Sequence, residues 1–210
     1  MTRVLITDDH AIVREGLKEI LTRHLTDVEC GEAKDAEQAL AQVRAYHWDL
    51  LLLDITTPGR SGLHVIGELK QLRPELPVLV LSMLPEDQFG KRVLKAGAWG
   101  YLNKDVPPEE LIQAVRRILA GRRYVSPDLA DQFAHDLQGK ASLSPHEALS
   151  SREFEILLMI GAGRAVGQIA EVLHLSGTTV STYRARILEK MGMTTTAELI
   201  RYAIHNNLPE

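Results

Sequence analysis

Cysteine is nearly absent: Cys30 is the only one among 210 residues. A lone thiol excludes an internal disulfide and fits a reducing compartment. Within the apparent strand Val28-Glu29-Cys30 it reads as a small buried hydrophobe. No apolar run reaches the ~20 residues that a membrane-spanning helix needs, and Met1-Thr2-Arg3 leads into a strand pattern rather than a signal sequence. A soluble cytoplasmic protein with no membrane partner is expected. A surplus of positive charge is also missing, since 24 Lys and Arg face 28 Asp and Glu for a net charge of −4. At face value this argues against nucleic acid. The charge is uneven, however: Arg152, Arg164, Arg184, Arg186, Lys190 and Arg201 balance Glu153, Glu155, Glu171, Glu189, Glu198 and Glu210. Residues 148–210 are therefore neutral and the acidity lies upstream, so a DNA role there needs a local basic stripe. At 45% hydrophobic residues, the length suits one large or two small domains with a packed core.

The centre of the pattern is Leu50-Leu51-Leu52-Leu53-Asp54. Four leucines without alternation read as a strand buried on both faces, as in a parallel sheet covered by helices, and Pro58-Gly59 turns the chain soon after. Four further strands are read at residues 3–7, 28–31, 78–82 and 100–104. Helical spacing marks residues 11–25, with Ile12, Val13, Leu17, Ile20, Leu21 and Leu25, and then residues 36–45, 63–69, 87–96 and 107–120. Alternating strands and helices predict a three-layer α/β domain, a five-stranded doubly wound parallel sheet of flavodoxin-like order 2-1-3-4-5.

In such sheets chemistry sits beyond the carboxyl ends of the strands. Strand one ends in Asp8-Asp9, strand three in Asp54, strand four in Ser82 and strand five in Lys104. Strand-end acids often only cap helices, and a lone lysine is usually solvated, but five such coincidences on one edge are not independent accidents. Converging carboxylates repel one another and call for a cation. Hard oxygen ligands with room for water suit Mg²⁺, which prefers octahedral geometry at about 2.0–2.1 Å. Asp54 is then the nucleophile towards a phosphoryl group, and Asp8, Asp9, Asp54 and the Thr56 backbone carbonyl hold the metal. Lys104 and Ser82 face the phosphoryl oxygens.

The motifs Asp8-Asp9-His10-Ala11-Ile12-Val13-Arg14-Glu15-Gly16-Leu17, Asp54 with Pro58-Gly59, Leu81-Ser82 and Gly100-Tyr101-Leu102-Asn103-Lys104-Asp105 together resemble those of two-component response regulators, the NarL/FixJ group in particular. The resemblance implies phosphoryl transfer from a sensor histidine kinase to Asp54 and a switch through Ser82 and Tyr101. A phosphoryl group adds about −1.5 to −2 charge at one strand end; Ser82 would move inward to donate to it, and the Tyr101 ring would fill the vacated space. Thr57 stands where the family usually has Met, Ser82 where Thr is commoner, and Met83 is bulkier than the usual small residue.

Beyond residue 122 the periodicity weakens. A linker is expected over 123–147, with a helix at 127–137 and its flexible part at 139–145. A second, all-α domain of four helices is expected over 148–210. Ser150 and Glu153 have capping-box spacing, and helices at 166–173 and 178–191 flank His174-Leu175-Ser176 as a helix-turn-helix candidate. On the second of these, Val180, Ile187 and Met191 share a buried face. Tyr183 and Arg184 flank that face, Thr178, Ser181, Thr182, Ala185 and Glu189 lie opposite, Arg186 sits at their margin and Lys190 further round. The residues expected to meet a major groove are Thr178, Thr179, Ser181, Thr182, Arg184, Ala185, Arg186 and Lys190; an ordinary solvated face is the bland alternative. Leu149-Ser150-Ser151-Arg152-Glu153, Ile169-Ala170-Glu171 and the run from Leu175-Ser176-Gly177 to Lys190-Met191-Gly192 resemble the LuxR-type DNA-binding domain. Ser181 and Tyr183 stand where Lys and His are frequent, which bears on the operator sequence and predicts a shallower salt slope. A last helix at 196–205 would supply a dimer face through Leu199, Ala203 and Ile204.

The expectation is a transcription factor gated by phosphorylation of Asp54, not an enzyme beyond its own phosphoryl transfer and dephosphorylation. Its expected partners are a sensor histidine kinase, double-stranded promoter DNA, a second copy when phosphorylated, and RNA polymerase. Two rivals are a phosphatase of the haloacid dehalogenase kind, which needs a second acid where Thr56 stands, and a phosphorylation-dependent interaction protein that never binds DNA. A regulator that works without phosphate is a milder variant.

Overall fold

The computed structural model describes residues 1–56, 62–137, 144–206 and 208. The chain divides into two compact units, Met1–Leu137 and Gln138–Glu210. In the first, β1 (Thr2–Thr7), β2 (Val28–Ala33), β3 (Leu50–Asp54), β4 (Val78–Ser82) and β5 (Gly100–Asn103) form one sheet in the order β2-β1-β3-β4-β5, with every pairing parallel. The expected sheet is the observed one. Helices α1 (Ala11–His24), α2 (Ala36–Ala45), α3 (Gly62–Leu72) and α4 (Glu86–Lys95) make the crossovers, and α5 (Pro108–Leu119) follows the last strand. All five positions of β3 and of β4 are buried, because helices cover both faces of the central strands and no position can face water. β2 lies at the sheet edge and only Ala33 is fully buried there. Cys30, expected to be buried, is therefore half-buried, and the burial it does have pushes its thiol pKa up. Ile12 is a second departure: it keeps the helical spacing but lies 84% exposed on α1.

The register sets the functional edge. Thr7 pairs with Leu53, Asp54 with Leu81 and Ser82 with Asn103, so the carboxyl ends of β1, β3, β4 and β5 finish side by side. A sixth helix, α6 (Pro127–Leu137), belongs to the same unit. The Ser126 hydroxyl accepts from the Leu129 amide at 3.1 Å and donates to Glu86 Oε2 at 2.7 Å. A Cβ on Gly90 of α4 would come within 2.9 Å of the Leu129 side chain, so the missing side chain lets α6 approach α4 closely. Burial pushes the Glu86 carboxyl pKa up, against the pull of the Ser126 hydroxyl.

The second unit holds a short 3-10 turn, Pro145–Ala148, and then α7 (Ser151–Gly161), α8 (Val166–Leu173), α9 (Gly177–Met191) and α10 (Thr196–His205). The expected capping box forms at α7: Glu153 Oε2 accepts from the Ser150 amide at 2.7 Å, and Ser150 Oγ accepts from the Glu153 amide at 3.4 Å. Left-handed residues end α8 at His174 and α9 at Gly192. α10 packs on α7, where a Cβ on Gly161 would meet the Ala203 methyl at 2.6 Å. Leu199 and Ala203 are thereby buried inside the unit. Assigning them to a dimer face is corrected: they are core residues, and only Ile204 of the three is exposed. Helical spacing marks a face as apolar without saying what covers it. The turn expected at Pro58-Gly59, the Thr57 departure and residues 139–143 of the expected flexible part lie outside the described residues. Among the described residues, no helix is long and apolar enough to cross a membrane.

Candidate functional site

The edge made by the register gathers the expected groups. Lys104, just past β5, places Nζ 2.6 Å from Asp8 Oδ2 and 2.6 Å from Asp54 Oδ2. The two carboxylate oxygens are thus no further apart than these two bonds laid end to end. Both acid side chains are almost completely buried, Asp9 is about a third exposed, and Lys104 is mostly buried. Burial works against the lysine charge, but the hydrogen bonds to Asp54 and Asp8 outweigh it and hold the pKa above its usual value. Three carboxylates against one ammonium leave a deficit of positive charge, and all the donors are hard oxygens. That donor set fits a divalent cation such as Mg²⁺.

Several groups that orient these side chains lie outside the set expected from sequence. The His10 amide donates to Asp8 Oδ1 at 2.8 Å, and its ring Nδ1 lies 2.9 Å from Asp9 Oδ1. Asp8, Asp9 and His10 offer ligand atoms that all lie within 4.8 Å of one another. Thr56 holds Asp54 Oδ1 twice, through its amide at 2.8 Å and its hydroxyl at 2.6 Å. Sequence reasoning used only its carbonyl. Arg14 reaches back from α1 to the Asp8 carbonyl at 2.7 Å. It stands inside the quoted motif, but spacing alone does not say where a guanidinium points.

At the end of β4, Ser82 is fully buried and its hydroxyl accepts from the Leu84 amide at 3.1 Å. The Tyr101 hydroxyl donates to the Leu84 carbonyl at 2.5 Å, and Asn103 Nδ2 donates to the same oxygen at 3.3 Å. Tyr101 is only 1% exposed, so it is already buried where its ring was expected to fill a space once Ser82 moved. Burial pushes the Tyr101 pKa up, against the pull of the Ser82 hydroxyl.

In the helical unit, Ser176 Oγ caps α9 by accepting from the Thr179 amide at 3.0 Å. Val180, Ile187 and Met191 are buried as expected. Thr178, Thr182, Ala185 and Arg186 are exposed, while Thr179, Ser181 and Arg184 are half-buried. A recess is lined by Ser176, Thr178, Thr179, Thr182, Tyr183 and Arg186; Ser176 and Tyr183 were not in the expected set. Lys190 stands apart from this recess, with Nζ on Glu153 Oε2 of α7 at 2.7 Å.

Comparison with known proteins agrees with both halves. Residues 4–116 match the response regulator receiver domain, and residues 147–203 match the luxR family of bacterial regulatory proteins. Response regulator GacA of Pseudomonas aeruginosa is 39% identical over 99% of this chain and 98% of its own length. Response regulator UvrY of Escherichia coli K12 is 35% identical over 99% of this chain and 96% of its own. The chain is a response regulator of the NarL/FixJ group. The regulator thus belongs to a family of DNA-binding two-component proteins. Its fold is shared with RcsB from Salmonella enterica serovar Typhimurium, solved bound to promoter rprA, at a TM-score of 0.71 and 24% identity over 96% of this chain and 97% of that one.

Proposed function

We propose that the regulator takes a phosphoryl group from a sensor histidine kinase onto Asp54, and that this modification controls dimerisation and promoter binding. One observation carries the reading: a single ammonium, that of Lys104, lies 2.6 Å from both Asp8 and Asp54 at the carboxyl edge of a parallel sheet. A buried carboxylate so placed is oriented for attack and already faces the cation that its reaction needs. An Asp54 oxygen attacks the phosphorus of the phosphohistidine. The O–P bond forms as the N–P bond breaks, and the electron pair of the broken bond returns to the kinase imidazole. Lys104 shifts onto a phosphoryl oxygen and Ser82 donates its hydroxyl to another. Mg²⁺, held by Asp8, Asp9, Asp54 and the Thr56 carbonyl, would supply the divalent charge that offsets the oxygens' charge. Hydrolysis of the acyl phosphate at the same residues resets Asp54, so the receiver catalyses only its own phosphorylation and dephosphorylation.

In this reading residues 1–122 are the receiver, 123–147 the linker and 148–210 the DNA-binding domain. Ser82 and Tyr101 form the switch, joined through the Leu84 backbone. Thr178, Thr179, Ser181, Thr182, Arg184, Ala185 and Arg186 read or flank the major groove. Lys190 joins them only if it leaves Glu153. Ile204 is the α10 position free for contact with a second copy. Promoter DNA in the cytoplasm is the target, with RNA polymerase as a further partner.

The test is Asp54→Asn in the full chain. Labelling by acetyl phosphate and the phosphate-dependent dimer should both vanish, and a footprint of the phosphorylated wild type should show two half-sites about one helical turn apart. Dimer formation that survives Asp54→Asn sinks the phosphorylation account. Phosphorylated protein that binds no DNA from its own upstream region sinks the transcription account.

A further inference from the structure

We propose that Arg14 is the positioning residue of the metal-binding loop, clamping the main chain of Asp8 so that Asp8 and Asp9 meet Mg²⁺ in the right geometry. The inference rests on the reading of that acid pair as a magnesium site. Arg14 lies in the first turn of α1, and its side chain is 15% exposed. Nη1 donates to the Asp8 carbonyl at 2.7 Å, while Nε donates to Glu32 Oε2 at 3.0 Å. Glu32 stands on β2 opposite Ile6 of β1. One planar guanidinium therefore joins α1, the loop after β1 and the neighbouring strand. Lys18, one turn further along α1, reaches the other Glu32 oxygen at 3.4 Å. The hydrogen bond from Arg14 is the main reason that the Glu32 carboxyl pKa lies below its usual value. The Asp8 side chain is oriented separately by the His10 amide at 2.8 Å and by Lys104 at 2.6 Å. Backbone and side chain of the same residue are thus held by different partners. Adjacent carboxylates repel, and a loop without the clamp would relax by moving them apart.

Charge and geometry predict opposite results, which makes the proposal testable. A guanidinium close to a dication repels it, so if charge were the whole effect, its removal would tighten Mg²⁺ binding. If Arg14 positions the loop, its removal weakens binding even though a positive charge has gone. Arg14→Lys separates the two further. It keeps the charge but presents a single nitrogen, without the rigid fork that holds both acceptors.

The experiment is calorimetric titration of Mg²⁺ into the full chain for wild type, Arg14→Lys and Arg14→Met, at low and high salt. Both variants should bind about tenfold more weakly, the usual scale for the loss of an outer partner of a metal site. The loss should persist at high salt, where exposed charge effects are screened. The rise in melting temperature that Mg²⁺ produces should shrink, whereas a merely structural role would lower the melting temperature equally with and without the ion. Should Arg14→Met fail to fold, Arg14→Lys carries the comparison. Unchanged affinity in Arg14→Lys, or tighter binding in Arg14→Met, overturns the proposal. Wild-type protein that binds no Mg²⁺ overturns the magnesium reading itself, and this inference with it.

Discussion

A buried carboxylate without a counter-charge costs several kcal/mol, and Asp8 and Asp54 share one ammonium. Lys104→Met should therefore destabilise the receiver by about 3 kcal/mol, the usual scale for breaking a buried pair. Mg²⁺ should restore part of that loss by supplying the missing charge, as read by urea unfolding of the full chain with and without the ion. Glu153 offers a pH test in the other unit. Burial alone would raise its pKa, but Lys190 and the Ser150 amide outweigh it and bring it below 4.5. A depressed acid binds fewer protons in the folded state, so its contribution is complete above about 4.5 and fades as pH falls through the depressed value. Glu153→Gln should flatten this part of the acid-denaturation profile while lowering stability at neutral pH. At this scale the sequence placed Asp8, Asp9, Asp54, Ser82 and Lys104 at the ends of their strands, where the structure has them, because strand-end positions can be read from apolar runs. The bonds from Arg14, Thr56 Oγ1 and His10 remained invisible, because they depend on side-chain direction across turns.

Among the elements, α6 shows how local and tertiary signals combine. Its span, residues 127–137, is legible in the sequence, with proline at the first helical position. Its seat on α4 is not, since it depends on Gly90 leaving room for Leu129 and on the bond from Ser126 to Glu86. Ser126→Ala removes both the cap and the tie. It should cost about 1 kcal/mol and speed hydrogen exchange of the α6 amides, with little change in the helical unit. At the opposite edge, a Cβ on Gly31 of β2 would come 2.1 Å from the Trp48 ring. Gly31→Ala should destabilise the receiver by about 2 kcal/mol through overpacking, measurable as a lower midpoint in denaturant. Burial on both faces made β3 and β4 easy to read. An edge strand carries a weaker pattern, and β2 runs to Ala33 where residues 28–31 were expected.

For the whole molecule, the proposed function has a charge on Asp54 govern a helical unit elsewhere in the chain. The net charge of −4 makes bulk attraction to DNA unfavourable, so the proposed DNA affinity rests on local contacts, for which α9 is the candidate. Arg186 is exposed beside the recess formed by the hydroxyl residues. Arg186→Ala should reduce the salt slope of operator binding by about one and weaken binding across sequences, as the loss of a phosphate contact would. An unchanged slope in a fluorescence-anisotropy salt series would remove Arg186 from the interface.

From the sequence by itself came the sheet order, the two-part organisation, the acids and the lysine of the carboxyl edge, and the helix-turn-helix. Each depends on the period of apolar residues or on a cap or turn residue, and such signals are local. Tertiary structure decided that Leu199 and Ala203 are core, that Lys190 is tied to Glu153, that Tyr101 lies inside and that Arg14 reaches the Asp8 carbonyl. The physical reason is the same in each case. A periodic pattern says which face of an element seeks a partner, whereas the partner itself is chosen only when distant segments pack together.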